Sequence, residues 1–79
     1  MPQPKDAGTI ATTRAVGISV RQLYYWVQRC RVVHPRLQRH GRRTFQYFSA
    51  SDVRKLKTVK RLLERGYTLR AAVKTASRA

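Results

Sequence analysis

The most regular hydrophobic pattern in the chain lies at residues 20–29, with its end at Arg29 or Cys30. At about 100° per residue, Val20, Leu23, Trp26, Val27 and Cys30 gather on one arc of a helix, and Arg21, Gln22, Tyr24, Tyr25, Gln28 and Arg29 on the opposite arc. Ser19, with Gln22 three residues on, has the spacing of a capping box and predicts where this helix starts. Just upstream, Val16-Gly17-Ile18 predicts a break, because Gly17 can take the positive φ that ends one helix and redirects the chain. A weaker helix is predicted before it, at about residues 9–15, with Ile10 and Val16 as apolar anchors. Thr9, Thr12 and Thr13 lower its propensity.

After residue 31 the pattern changes. Pro35 opposes helix continuation, Arg39-His40-Gly41-Arg42-Arg43 has the composition of a loop tip, and Thr44-Phe45-Gln46-Tyr47-Phe48 is aromatic and β-prone. Residues 36–48 are therefore expected to form a two-stranded hairpin with a basic tip, and Phe45 or Tyr47, with Phe48, to put one face on the core. Ser49 with Asp52 three residues on, or else Ser51, caps a third helix. In it Val53, Leu56, Val59, Leu62 and Leu63 share about half the circumference, an arc expected to face the second helix and the hairpin. Gly66 stops this helix, and Thr68 begins a short last one with Leu69, Ala72 and Val73 inward. Two helices joined by a short turn carrying Gly form a helix-turn-helix. The expectation is a mostly α, single-domain winged helix-turn-helix at residues 9–77, in which the small β-hairpin is the wing.

Charge narrows what such a domain can touch. Lys and Arg number 18 against 3 acids, a formal charge of +15, in a chain of 79 residues with room for one modest core. No acid lies between Ala7 and Ser51, while Arg14, Arg21, Arg29, Arg31, Arg36, Arg39, Arg42 and Arg43 all fall there. Self-repulsion on this scale burdens a compact domain unless a polyanion neutralises it. Membrane-binding peptides show a continuous apolar face beside the basic one, whereas the apolar residues here are assigned to a core, so nucleic acid is the better polyanion. The arc with Arg21, Gln22, Tyr24, Tyr25, Gln28 and Arg29 offers forked donors, amides and phenols, the inventory of a major-groove reader. Cys30, the single cysteine, leaves no internal disulfide and no cysteine pair for a structural metal, which fits a reducing, cytosolic setting. No apolar run has the length of a membrane span or signal-peptide core, and residues 1–8, with Pro, Gln and Lys, have the composition of a disordered lead-in.

Three segments together resemble the MerR-type bacterial regulators. Gly17-Ile18-Ser19-Val20-Arg21-Gln22-Leu23-Tyr24-Tyr25-Trp26 is similar to that family's G-[VI]-S-x-x-T-L-R-Y-Y. The strand ending Phe48-Ser49-Ala50-Ser51-Asp52 resembles Y-R-x-Y-S-x-x-D, and the run from Leu56 through Gly66-Tyr67-Thr68-Leu69 resembles L-x-x-I-x-x-L-x-x-x-G-[FY]-[ST]-L. The match covers about residues 17–73. Tyr24 and Gln46 stand where the family usually has Arg, Val27 replaces a common acid, and Thr12 lies near a usual leucine. The resemblance implies transcription control through double-stranded DNA, with helix 20–29 in the major groove and wing 36–48 on flanking DNA. That role carries over to Arg21, Gln22, Tyr24, Tyr25 and Arg29, with Gln28 on the same arc. Typical members continue into a long dimerisation helix and an effector domain, and neither is in this chain. No cofactor is therefore expected, and the free chain is expected to be a monomer that binds DNA singly or through adjacent, cooperative contacts.

The remaining candidates each have a plainer alternative. Arg39, His40, Arg42 and Arg43 at the wing tip suit phosphate or minor-groove contact, against an ordinary solvated charge run. The resemblance gives Lys60 a phosphate contact, against a lysine lying along the core with its charge in water. Trp26 belongs to the core rather than to a stacking platform, and strand alternation puts one of Tyr47 and Phe48 inside. His34, His40 and Cys30 lack metal-ligand spacing, and three scattered acids with no nucleophile–base pair give no enzyme. The leading expectation is a cytoplasmic, nucleoid-associated regulator binding specific duplex DNA. Its rivals are an architectural DNA binder, such as an excisionase, recombination directionality factor or chromosome-anchoring protein, and an RNA-binding ribosome-associated protein.

Overall fold

The computed structural model describes residues 7–78. Its elements are α1 (Thr9–Val16), α2 (Val20–Gln28), β1 (Arg36–His40), β2 (Arg43–Tyr47), α3 (Ala50–Glu64) and α4 (Leu69–Arg78). Most of the lead-in expected to be disordered, residues 1–6, lies outside the described residues. Ala7 belongs to the fold: its N–H donates to the Phe48 carbonyl at 2.8 Å, and the Phe48 N–H returns a bond at 2.7 Å.

Both helices of the helix-turn-helix obey local rules. Gly17 takes φ +83° and its N–H donates to the Thr13 carbonyl, ending α1. The Ser19 hydroxyl then accepts the Gln22 N–H at 3.0 Å and opens α2. One expectation for α1 fails: Ile10 is 55% exposed, while Thr12, Thr13 and Val16 are buried. At about 100° per residue these three lie on one arc, and Ile10 falls some 60° beyond Thr13. The Thr13 hydroxyl donates to the Ile10 carbonyl at 2.7 Å, whereas the buried Thr12 hydroxyl has no partner among the described residues.

The hairpin pairs Arg36 with Tyr47, Gln38 with Phe45 and His40 with Arg43. Gly41 alone takes a positive φ in its two-residue turn, the pattern of a II′ hairpin. Phe48 is fully buried in the core, whereas Tyr47, half-buried, and Phe45, 40% exposed, both line the groove beside α2, so of Tyr47 and Phe48 it is Phe48 that goes inside. Ser49, not Ser51, caps α3 through a complete box: Asp52 N–H to the Ser49 hydroxyl, and Ser49 N–H to the Asp52 carboxylate, both 3.1 Å. Helix α4 runs on to Arg78 and buries Ala76 beside the expected Ala72.

A single core collects Leu23 and Trp26 of α2, Val32 and Val33 after it, Phe48, Leu56, Val59 and Leu62 of α3, and Ala72 and Ala76 of α4. The backbone of α3 lies closest to α4 and α1, not to α2 and the wing as its apolar arc suggested. Among the described residues no Cα of α2 comes within 8 Å of one in α3. Large side chains close that distance: Leu23 and Trp26, both fully or almost fully buried, reach across it.

Candidate nucleic-acid interface

Helix α2 buries Leu23 and Trp26, packs the half-buried Val27 against the core, and turns its outer arc to solvent. Arg21, Gln22, Tyr24, Tyr25, Gln28 and Arg29 are all exposed, as the sequence pattern predicted for that arc. Tyr24 is 41% and Tyr25 53% exposed, so both phenols are reachable along with much of their rings. Arg31 ends the helix in a left-handed conformation at φ +50°, and the Val32 N–H bonds back to the Trp26 carbonyl at 3.1 Å. That tight exit sends Val32 and Val33 into the core.

Grooves run along both sides of α2. On one side, Val20, Tyr24 and Gln28 face Ile10 of α1 and Leu37 and Phe45 of the wing across a groove with a largely apolar floor. On the other, Tyr25 and Cys30 share a second groove with Leu69, Arg70, Val73 and Lys74 of α4. Arg70 and Lys74 are thus basic residues beside the outer arc that the sequence reading omitted. The signal was there: they occupy the polar side of the last helix, opposite Ala72 and Ala76. Cys30 is a half-buried free thiol in this groove.

The wing carries Arg39, His40, Arg42 and Arg43, all exposed around the Gly41 turn. The His40 ring meets Phe45 edge-on at 5.4 Å, giving the tip some rigidity. Among the described residues no ion pair or hydrogen bond engages the guanidinium of Arg21, Arg29, Arg39, Arg42 or Arg43, so these forks are open to an anion. Lys60 is placed differently. Its ammonium donates to the Gly17 carbonyl at 2.7 Å and lies 3.9 Å from the Glu64 carboxylate, with its side chain 34% exposed. The structure therefore brings together the arc of α2 and, across one groove, the flank of the wing, while Lys60 turns to the junction between α1 and α2. Among the described residues no three of His, Cys, Asp and Glu converge as metal ligands, and no helix is long and apolar enough to cross a membrane.

A helix held out on two buried anchors, with a hairpin following it and two further helices behind, defines a winged helix-turn-helix DNA-binding domain. Comparison with protein families matches residues 11–79 to the MerR HTH family regulatory proteins. The chain belongs to that family, as its motifs suggested, and its general function is DNA binding in transcription regulation. The family is one of regulators rather than enzymes. Comparison with curated proteins found no match.

Proposed function

We propose that this domain reads a specific sequence in double-stranded DNA to control transcription, with α2 in the major groove and the wing on flanking DNA. The observation that carries the reading is the outer arc of α2, where Arg21, Gln22, Tyr24, Tyr25, Gln28 and Arg29 are all exposed and both guanidinium groups are unengaged. An α-helix fits the major groove, where Arg pairs bidentately with guanine and Gln with adenine. Tyr24 and Tyr25 flank that line and contact sugar, phosphate or base edges. Arg39, His40, Arg42 and Arg43 lie on the adjoining backbone, and Arg70 and Lys74 extend the basic surface on the Tyr25 side.

The free chain is a monomer under this reading, since a charge of +15 opposes self-association away from DNA. On DNA, neighbouring copies meet only where adjacent half-sites bring them together. The polyanion it meets is chromosomal DNA, in the cytoplasm and at the nucleoid. Selection of bound fragments from genomic DNA tests the proposal. One enriched duplex motif near promoters is the expected result, and its symmetry reports the number of reading heads. Enrichment without sequence preference, or confined to recombination sites, favours an architectural role, and stronger binding to structured RNA overturns the proposal.

A further inference from the structure

We propose that the groove between α2 and the wing seats the sugars of one DNA strand and excludes the ribose 2′-hydroxyl, so that the domain selects deoxyribose over ribose at that place. The inference rests on the proposed placing of α2 in the major groove and of the wing on flanking DNA. With those two elements on the duplex, the strand that borders the major groove has to cross the space between them.

The groove differs from the surface around it. In a chain with 18 Lys and Arg, none of the residues lining it is charged. Among the described residues six large apolar or aromatic side chains are exposed, and four of them, Ile10, Tyr24, Leu37 and Phe45, gather here. Leu37, on β1, is the most exposed of the six at 63%. An apolar patch rimmed by polar residues marks a contact site. Tyr24 and Gln46 both line the groove, and both stand where the MerR-type motifs usually have Arg. Two cations are therefore missing from one place. A phosphate would find no positive partner on this floor, for Arg39, Arg42 and Arg43 of the wing and Arg21 and Arg29 of α2 all stand outside it.

The part of a nucleic-acid strand that suits an uncharged, largely apolar floor is the sugar between two phosphates. A deoxyribose offers the floor a C2′ methylene, whose burial is favourable. A ribose offers a hydroxyl, which loses its water on entry and is costly to leave unpaired. The Gln46 Oε1, an acceptor beside the floor, is itself buried below the surface and out of a ligand's reach. The 2′-hydroxyl is the group by which a protein tells RNA from DNA at a given site. A second copy of the chain, the other apolar occupant, would bring a like charge of +15 to this basic surface.

Single ribonucleotides placed in turn along each strand of the selected duplex test the assignment, with 2′-fluoro nucleotides, which keep the ribose pucker but lack the O–H, as the control. Affinity should fall about tenfold within one short run of positions on one strand, the cost of a hydroxyl dehydrated without a partner, and stay within about twofold elsewhere. In that run the 2′-fluoro duplex should bind like DNA. Leu37→Ser puts a hydroxyl partner on the floor, and the ribonucleotide penalty should shrink to about twofold in that variant. Equal losses from fluoro and hydroxyl would assign the effect to sugar pucker, and a penalty that ignores position, or that Leu37→Ser leaves unchanged, would take the sugar out of the groove. A free protein that sediments as a dimer, and as a monomer in Leu37→Ser, would give the groove to a second copy. Each of these results overturns the proposal. A native protein with no preferred duplex would defeat the proposed function instead. In that event the same comparison of hydroxyl, fluoro and Leu37→Ser, on a random duplex with ribonucleotides spaced along both strands, still decides the sugar assignment.

Discussion

Leu23 and Tyr25 stand two residues apart on α2 and face opposite ways, so truncating each should damage a different property. Leu23 is 0% exposed, and Tyr25 is 53% exposed. Leu23→Ala removes three carbons from the core, worth about 0.8 kcal/mol each in transfer alone. With the cavity left behind, the loss comes to about 2–5 kcal/mol. A domain of 79 residues has a total stability of about 4–12 kcal/mol. At about 4–8 °C per kcal/mol for a domain of this size, the melting midpoint should fall by roughly 8–40 °C. If about 2 kcal/mol remains at the binding temperature, about 97% of molecules are still folded, and affinity for duplex DNA changes by only a few per cent. Tyr25→Ala should do the reverse. Removing an exposed ring alters stability by less than about 0.5 kcal/mol, while loss of a base or backbone contact weakens specific binding by about 1–3 kcal/mol, some 5- to 150-fold. Thermal melts by circular dichroism and duplex titrations at 10 °C, run on both variants, separate the two effects. A Leu23→Ala protein that melts normally but loosens its site choice would refute the division of α2 into a packed arc and a reading arc.

Salt titration of duplex binding should give a slope of log K against log salt of about −5 to −7, as expected for six to eight phosphate contacts, and a slope near zero would exclude phosphate tracking. Gly17→Ala should cost about 1–2 kcal/mol in urea unfolding, because φ +83° is strained for any residue with a Cβ, with the Lys60 tether displaced as well. Thr12→Val should instead stabilise the domain, by about 1 kcal/mol in the same assay, since it removes a fully buried hydroxyl that has no partner among the described residues and nearly preserves its shape. Ser49→Ala should cost about 1 kcal/mol by opening the α3 capping box, and Ser51→Ala, at a position the cap does not use, should be nearly neutral.

The parts of this fold legible in the sequence were those written in short-range signals. The arcs of α2, the caps at Ser19 and Ser49 and the left-handed Gly17 each depend on residues within one or two turns. Ile10 was misassigned because an eight-residue helix spans barely two turns, too few to fix the phase of a weak apolar pattern against buried threonines. Val32 and Val33 carry no period at all, and their burial follows from the left-handed turn at Arg31, where glycine would have been the usual marker. The surface of α2 could be read from its own sequence, but its neighbours could not. That Tyr25 would lie beside Arg70 and Lys74, and Lys60 against Gly17, depends on how distant helices stack.

The wing is built as a cantilever. Its root is clamped: Phe48 is wholly buried, and two backbone bonds, 2.8 and 2.7 Å long, fasten it to Ala7. Its free end, around Gly41, is exposed on every side. In a beam of this kind deflection grows towards the tip, while stiffness and direction are governed at the support. Substitutions near Gly41 should therefore change what the arginines touch without changing where the hairpin points. Loosening Ala7 or Phe48 should swing the whole arm, carrying Arg39, Arg42 and Arg43 at once away from the DNA we propose they meet, although each side chain is intact.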